Sequence, residues 1–518
     1  MPKIKPLITT ALTCAASCML ALCLTACANS STTASTTSAD DDMTDDILDT
    51  FLQLTQIPRP SHHEEQISAY LKEWAEGNSF GVVQDAYNNL VIEVPATTGM
   101  EEMPKVALQC HMDMVFAEKD GLDLDPLTTT INAVNDGTYL TSDGNTSLGT
   151  DDGIGVAIAM NVAEGKMEHG PIRIIITTSE EDGMVGAFNL DPSYISDIQY
   201  LINLDGEDEG CVALSTAAGE VMSYSAQPET TSPTGDTSIQ IDVSGLTGGH
   251  SGIDIDKGRL NGIVAMGTLL KALDDAGITY DLATLSGGTA PNAIPTNASA
   301  LICVNATESD AAEAAMNDAW TKLKADYATT DPNMQIAIAT ADLPNEVLTS
   351  SCKEMVVELI NDIFNGVYSM STSIDGLVQS SSNLGVLTAT SEEISLTSYI
   401  RSSNDDEFAE LIALEGEQGE ARGFTYTSEK TANPWPYNPD SQLCKIADEA
   451  YQNLFGTQLQ HQTVHAGLEC GTFHVYNSDL DMIAIGPTIK DPHTVNETLE
   501  IASVNKVWKL LEEILKNI

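Results

Sequence analysis

Four short, mostly apolar runs constrain this chain most: residues 105–110, 171–178, 199–204 and 481–485. Each has strand length, and none alternates cleanly between apolar and polar positions. A strand of that kind is buried on both faces. Patterns of helical period lie between and around them, at 45–57, 64–77, 152–164, 441–455 and 504–516. Two-faced strands alternating with helices predict an α/β fold with a mostly parallel sheet.

Near Ala217 the pattern changes. Residues 238–246 alternate polar and apolar, as a half-exposed strand does, and further strands are predicted at 298–306, 334–341 and 393–400. Helices are predicted at 258–276, 310–328 and 405–422. This mixture indicates an inserted α+β domain with one exposed sheet face. Asn433-Pro434-Trp435-Pro436 reads as a linker out of it. The α/β domain is therefore expected in two chain segments, 45–216 and 434–518, with the insert at 217–433.

The chemistry gathers where these strands end. His111 and Asp113 follow the first run, Glu180 and Glu181 the second, Asp205 the third, and His493 comes soon after the fourth. Asp151 opens the helix that begins in Gly149-Thr150-Asp151-Asp152-Gly153. Sites in open α/β sheets form at the carboxyl ends of the strands. A single acid after a strand is usually a cap or turn residue; the full set points to a metal site. Imidazole and carboxylate without thiolate suit zinc or another divalent transition metal. There are too many ligands for one tetrahedral ion with an open position, whereas two ions about 3.5–4 Å apart, bridged by a carboxylate, would use them all.

In these motifs the chain resembles the aminoacylase/carboxypeptidase-type superfamily of dizinc exopeptidases. It is more closely similar to the aminoacyl-histidine dipeptidases. The closer likeness rests on Ile57-Pro58-Arg59-Pro60-Ser61, Gly248-Gly249-His250-Ser251-Gly252, Asn292-Ala293-Ile294-Pro295, Arg401-Ser402-Ser403 and His465-Ala466-Gly467-Leu468-Glu469-Cys470. The resemblance implies two zinc ions bridged by Asp151, with His111 and Asp205 completing one site and Glu181 and His493 the other. Asp113 would orient the His111 ring and Glu180 would be the general base. The insert would be a lid, in which His250 steadies the oxyanion and Arg401 holds the substrate's terminal carboxylate. Asn292 and Gly467 match further substrate contacts. Pro291 is a departure, standing where Arg is expected in many relatives. The implied reaction is hydrolysis of dipeptides, Xaa-His or broader. Two rivals stay open: a related tripeptidase or amidohydrolase, and a peptide-binding lipoprotein without catalysis.

The start of the chain reads as an address. Lys3 and Lys5 precede an apolar run that ends in Leu24-Thr25-Ala26-Cys27. This resembles a bacterial lipobox, so residues 1–27 are expected to be a lipoprotein signal, Cys27 the lipidated residue and 28–44 a flexible tether. An uncleaved anchor would share the apolar run. The expected location is outside the cytoplasm, in the cell envelope, held to a membrane by the lipid. With 22 Lys+Arg against 76 Asp+Glu, a net charge of −54, nucleic acid is excluded as a partner. Short peptides, chiefly dipeptides, are the expected partners, with a second copy of the chain as a homodimer. Cys110, Cys211, Cys303, Cys352, Cys444 and Cys470 form no Cys-x-x-Cys pair, which argues against a thiolate zinc site. His62-His63-Glu64-Glu65 is read as structural, His461 and His474 as surface or packing residues, and His465 and Glu469 as either pocket or packing.

Overall fold

The structure is a computed structural model that describes residues 42–518 apart from 373–375 and 466. The signal-like run, Cys27 and most of the tether lie outside the described residues.

The first sheet has eight strands. At its centre Ile172–Thr177, Val106–His111, Tyr200–Asn203 and Asp481–Ala484 run parallel in that order. Antiparallel strands flank them, Leu90–Val94 beyond Ile172–Thr177 and Cys211–Thr216 beyond Asp481–Ala484. The apolar runs are two-faced because successive side chains feed different cores. Leu108, Cys110, Ile174, Ile176 and Ile202 pack into one core with the helices Thr44–Leu54, Thr150–Ala163 and Ile501–Asn517. Ala107, Ile175 and Leu201 pack into another, with Ala187, Ile195 and Phe473. All 14 residues of Thr150–Ala163 are buried, as expected of a helix covered on every side. The mostly parallel α/β reading holds, with antiparallel edges that the apolar runs did not reveal.

The second sheet has its main path in eight strands, all antiparallel, drawn from residues 218–432. One face packs on the helices Gly262–Asp275, Ser309–Asp326 and Ser350–Asp362 through Ile241, Ile302, Leu269 and Val356. Asn261 caps the first of these, its side-chain oxygen accepting from the Ile263 amide at 2.9 Å. The chain leaves the first sheet and returns to it at one place. There the Thr216 amide donates to the Trp435 carbonyl (2.9 Å) and the Trp435 amide to that of Thr216 (3.2 Å).

One buried acid in this second unit makes stability pH-dependent. Glu415 is fully buried in the helix Asp405–Ala421 and accepts from Ser398 Oγ (2.5 Å) and Tyr224 Oη (3.3 Å). Burial pushes its carboxyl up to about 7 from the ordinary 4.5. The folded state therefore holds a proton that the unfolded chain has released between those values. Stability is full below pH 4.5 and falls as pH rises through 7. The expected loss from this group is roughly 3 kcal/mol. Glu415→Gln should lose this part of the decline in urea unfolding between pH 5 and pH 8; an unchanged slope would contradict the assignment.

Candidate metal centre and active site

Asp151 stands at the middle of the cluster. Its Oδ1 lies 3.2 Å from His111 Nε2, and its Oδ2 lies 2.9 Å from His493 Nε2. Asp205 Oδ1 is 3.4 Å from the same His111 nitrogen, and Glu181 Oε2 is 2.8 Å from His493 Nε2. The ligand atoms form two groups, His111–Asp151–Asp205 and Asp151–Glu181–His493, each within 4.8 Å. Asp151 belongs to both. Glu180, although adjacent to Glu181, falls outside both groups.

The backbone around these residues is held by side chains of which Glu497 was not singled out from the sequence, and Arg59 and Glu64 only as parts of motifs. Glu497 is buried and accepts from the amides of Leu148 (2.8 Å), Gly149 (2.9 Å) and Thr150 (2.7 Å). This fixes the turn that delivers Asp151. Gly149 has φ +74° there, and a Cβ on it would strike the Met114 sulfur at 2.6 Å. The buried Arg59 guanidinium donates to the carbonyls of Met112 (2.9 Å), Asp113 (2.8 Å) and Gly149. Glu64, inside the His-rich motif, accepts from the Ser179 amide (2.8 Å) and hydroxyl (2.7 Å). Ser179 has φ +49°, a costly conformation for Ser. Glu64 thus pins the strained residue from which Glu180 projects. Asp113 accepts from Ser61 Oγ (2.8 Å) and the Glu180 amide (3.1 Å), and its Oδ1 is 3.3 Å from His111 Nδ1.

The acids outnumber their local cations, and their proton affinities follow. Burial works to raise Asp151, but hydrogen bonds from His111 and His493 hold it far below the usual carboxylate range. Burial and then the charge of Asp151 push Glu181 up to about 7. Burial lifts Asp205 to about 6, and burial with Asp151 lifts Glu207 to about 8. Glu180 is raised well above its ordinary value, by burial first. Burial opposes a charge on His493, yet hydrogen bonds to Asp151 and Glu181 hold it at about 11. Dications at the two groups would relieve this carboxylate crowding, which fits the donor set. Glu181 Oε1, buried without a partner, fits it as well.

The expected substrate contacts gather only in part. Arg401 is buried on the strand Ile394–Ser402 with its guanidinium 4.0 Å over the Tyr399 ring. No carboxylate pairs with it among the described residues, and burial lowers its proton affinity. His250 is brought down to about 4 and His465 to about 3, in each case by burial and then the charge of Arg401. His465 Nε2 lies 2.8 Å from Ser381 Oγ. Sequence reading left His465 undecided; it belongs to this group. Asn292 is exposed; its backbone carbonyl accepts from the Ser251 amide at 2.8 Å. A Cβ on Gly467 would strike Met184 at 2.6 Å and Ala432 at 2.9 Å, so only Gly lets the chain pass close to the turn carrying Glu180. Glu469 is buried, at 2.5 Å from Gln109 Nε2 and 2.6 Å from Thr177 Oγ1.

Comparison with known proteins follows the same lines. The sequence profile of peptidase family M20/M25/M40 matches residues 107–517. The cytosol non-specific dipeptidase of Escherichia coli (strain K12) is 35% identical over 473 residues, covering 90% of this chain and 96% of that protein. The crystal structure of aminoacylhistidine dipeptidase from Vibrio alginolyticus is similar with a TM-score of 0.79 and 31% identity, over 91% of this chain and 96% of that one. A tripeptidase from Staphylococcus aureus shares the fold at a TM-score of 0.54 and 18% identity, over 92% and 99% of the two chains.

These findings correct one expectation. The reading of an exported, envelope-anchored lipoprotein is overturned, because the Escherichia coli relative, matched over nearly all its length, is a cytosol protein. No helix among the described residues is long and apolar enough to cross a membrane. The six thiols of the described residues are free.

Proposed function

The chain belongs to peptidase family M20/M25/M40, and on that premise we propose that it hydrolyses dipeptides with two divalent transition cations, zinc above others. Asp151 carries this reading: its two oxygens face two different ligand groups. His111 and Asp205 would hold one cation with it, and Glu181 and His493 the other. Nitrogen and carboxylate donors without sulfur suit Zn2+. Bound there, the cations would polarise the scissile carbonyl and make a water molecule more acidic.

The side chains supply the rest. Glu180 takes the proton from the attacking water and passes it to the leaving amine, for which a raised pKa is an advantage. Asp113 accepts the amides of Glu180 and Glu181 and biases the His111 ring, so it positions both groups. Residues 217–433 act as a lid over this centre. Within it Arg401 grips the terminal carboxylate, and His250 donates to the oxygen on which charge develops. Asn292 and Gly467 border the substrate. Dipeptides are the proposed class because two relatives matched over about nine-tenths of this chain are dipeptidases.

The test is direct. The purified chain should release free amino acids from a dipeptide panel, lose that activity to a chelator and regain it with Zn2+. No hydrolysis of any dipeptide after reloading would overturn the proposal.

A further inference from the structure

Away from this centre, three side chains of different donor type meet between the helix Gln442–Phe455 and the strand Gln460–Val464. Cys444 and Asp448 stand four residues apart, on one helical face, and His461 reaches them from the strand. Cys444 Sγ lies 3.6 Å from His461 Nε2 and 3.9 Å from Asp448 Oδ2. His461 Nε2 lies 2.9 and 3.0 Å from the two Asp448 oxygens. A tetrahedral Zn2+ sets sulfur, nitrogen and oxygen ligands about 3.3–3.6 Å from one another. The three observed separations bracket that size.

We propose that Cys444, Asp448 and His461 form a separate site for a thiophilic divalent cation such as Zn2+, distinct from the dinuclear centre. Cys444 is buried, whereas Asp448 and His461 are exposed enough to be reached. Both of the latter line a cavity of ≈ 610 Å³ that also receives Glu449 and Gln458. The fourth coordination position therefore opens to water or a small ligand. Binding exchanges the thiol proton for the cation, and the proton leaves to solvent. The excess of carboxylates over the whole chain favours cation capture. No Cys-x-x-Cys motif announces such a site, because its ligands combine a four-residue helical step with a strand 13 residues on. The cation would clamp the helix to the strand that leads directly into His465.

Cobalt distinguishes this site from the catalytic one, since thiolate ligation gives a near-ultraviolet charge-transfer band and the catalytic donors include no sulfur. The full chain, stripped of metal and titrated with Co2+, should show that band and bind about one equivalent beyond the dinuclear centre. Cys444→Ser should lose the band and that equivalent alone. His461→Gln keeps the thiol and should move the band to higher Co2+. No band at saturating Co2+, or a band that survives Cys444→Ser, overturns the proposal. Should Cys444→Ser fail to fold, an unaltered titration in His461→Gln overturns it equally.

Discussion

Replacing Glu180 with Gln is expected to lower kcat by about 10²–10⁴-fold while metal content and thermal midpoint stay at wild-type values. The amide keeps the shape of the side chain and loses only its ability to take a proton. Glu180 follows the strand Ile172–Thr177 but lies outside both ligand groups, so metal binding does not require it. Its backbone is fixed independently, through Asp113 at its amide and Glu64 at Ser179. A steady-state assay beside metal analysis separates the outcomes. Near wild-type kcat would show that the base is another residue; lost metal would show that Glu180 is a ligand.

Arg401→Ala is expected to lower kcat/KM for a dipeptide by a factor of tens to hundreds, or roughly 2–4 kcal/mol. A buried guanidinium without a carboxylate partner is costly to the fold, and among the described residues Arg401 has the Tyr399 ring beneath it and no paired carboxylate. The neighbouring His250 and His465 are held neutral, so of these three side chains Arg401 alone is charged, with the sign that suits a carboxylate. A dipeptide amidated at its carboxyl terminus never makes that contact, so its low rate should change little. Arg401→Lys restores the charge without the planar fork and should recover part of the loss. Equal losses for free and amidated substrates would show that Arg401 shapes the lid and does not read the carboxylate.

The cluster was legible because chemistry and topology coincide near strand ends: His111, Glu180, Glu181 and Asp205 stand at or just after apolar runs buried on both faces, and the structure brings them together with Asp151 and His493. The supports were not legible. Glu497 lies 346 positions from Asp151 and works through the amides of the turn before it and the Thr150 hydroxyl, a contact with no sequence period. The second sheet hid its central strand for a different reason. Val378–Ala389 carries Ser380, Ser381, Ser382 and Asn383, all buried. Ser380 pairs with Ser402 and Glu407, Ser381 with His465, and Asn383 with the Pro291 and Ala293 carbonyls. Side chains satisfied that way sit in a core without an apolar pattern. The lipoprotein reading failed differently, because a lipobox-like run is short and its resemblance carries no information from the fold.

The central claim is that Asp151 serves two cations at once. Metal content of Asp151→Ala and Asp205→Ala, each in a Cys444→Ser background so that the site at His461 does not enter the count, tests it directly. Asp151→Ala should retain almost no Zn2+ after dialysis, while Asp205→Ala should retain about one equivalent, since Glu181, His493 and Asp151 remain to hold it. Equal retention in the two variants would contradict a bridging Asp151.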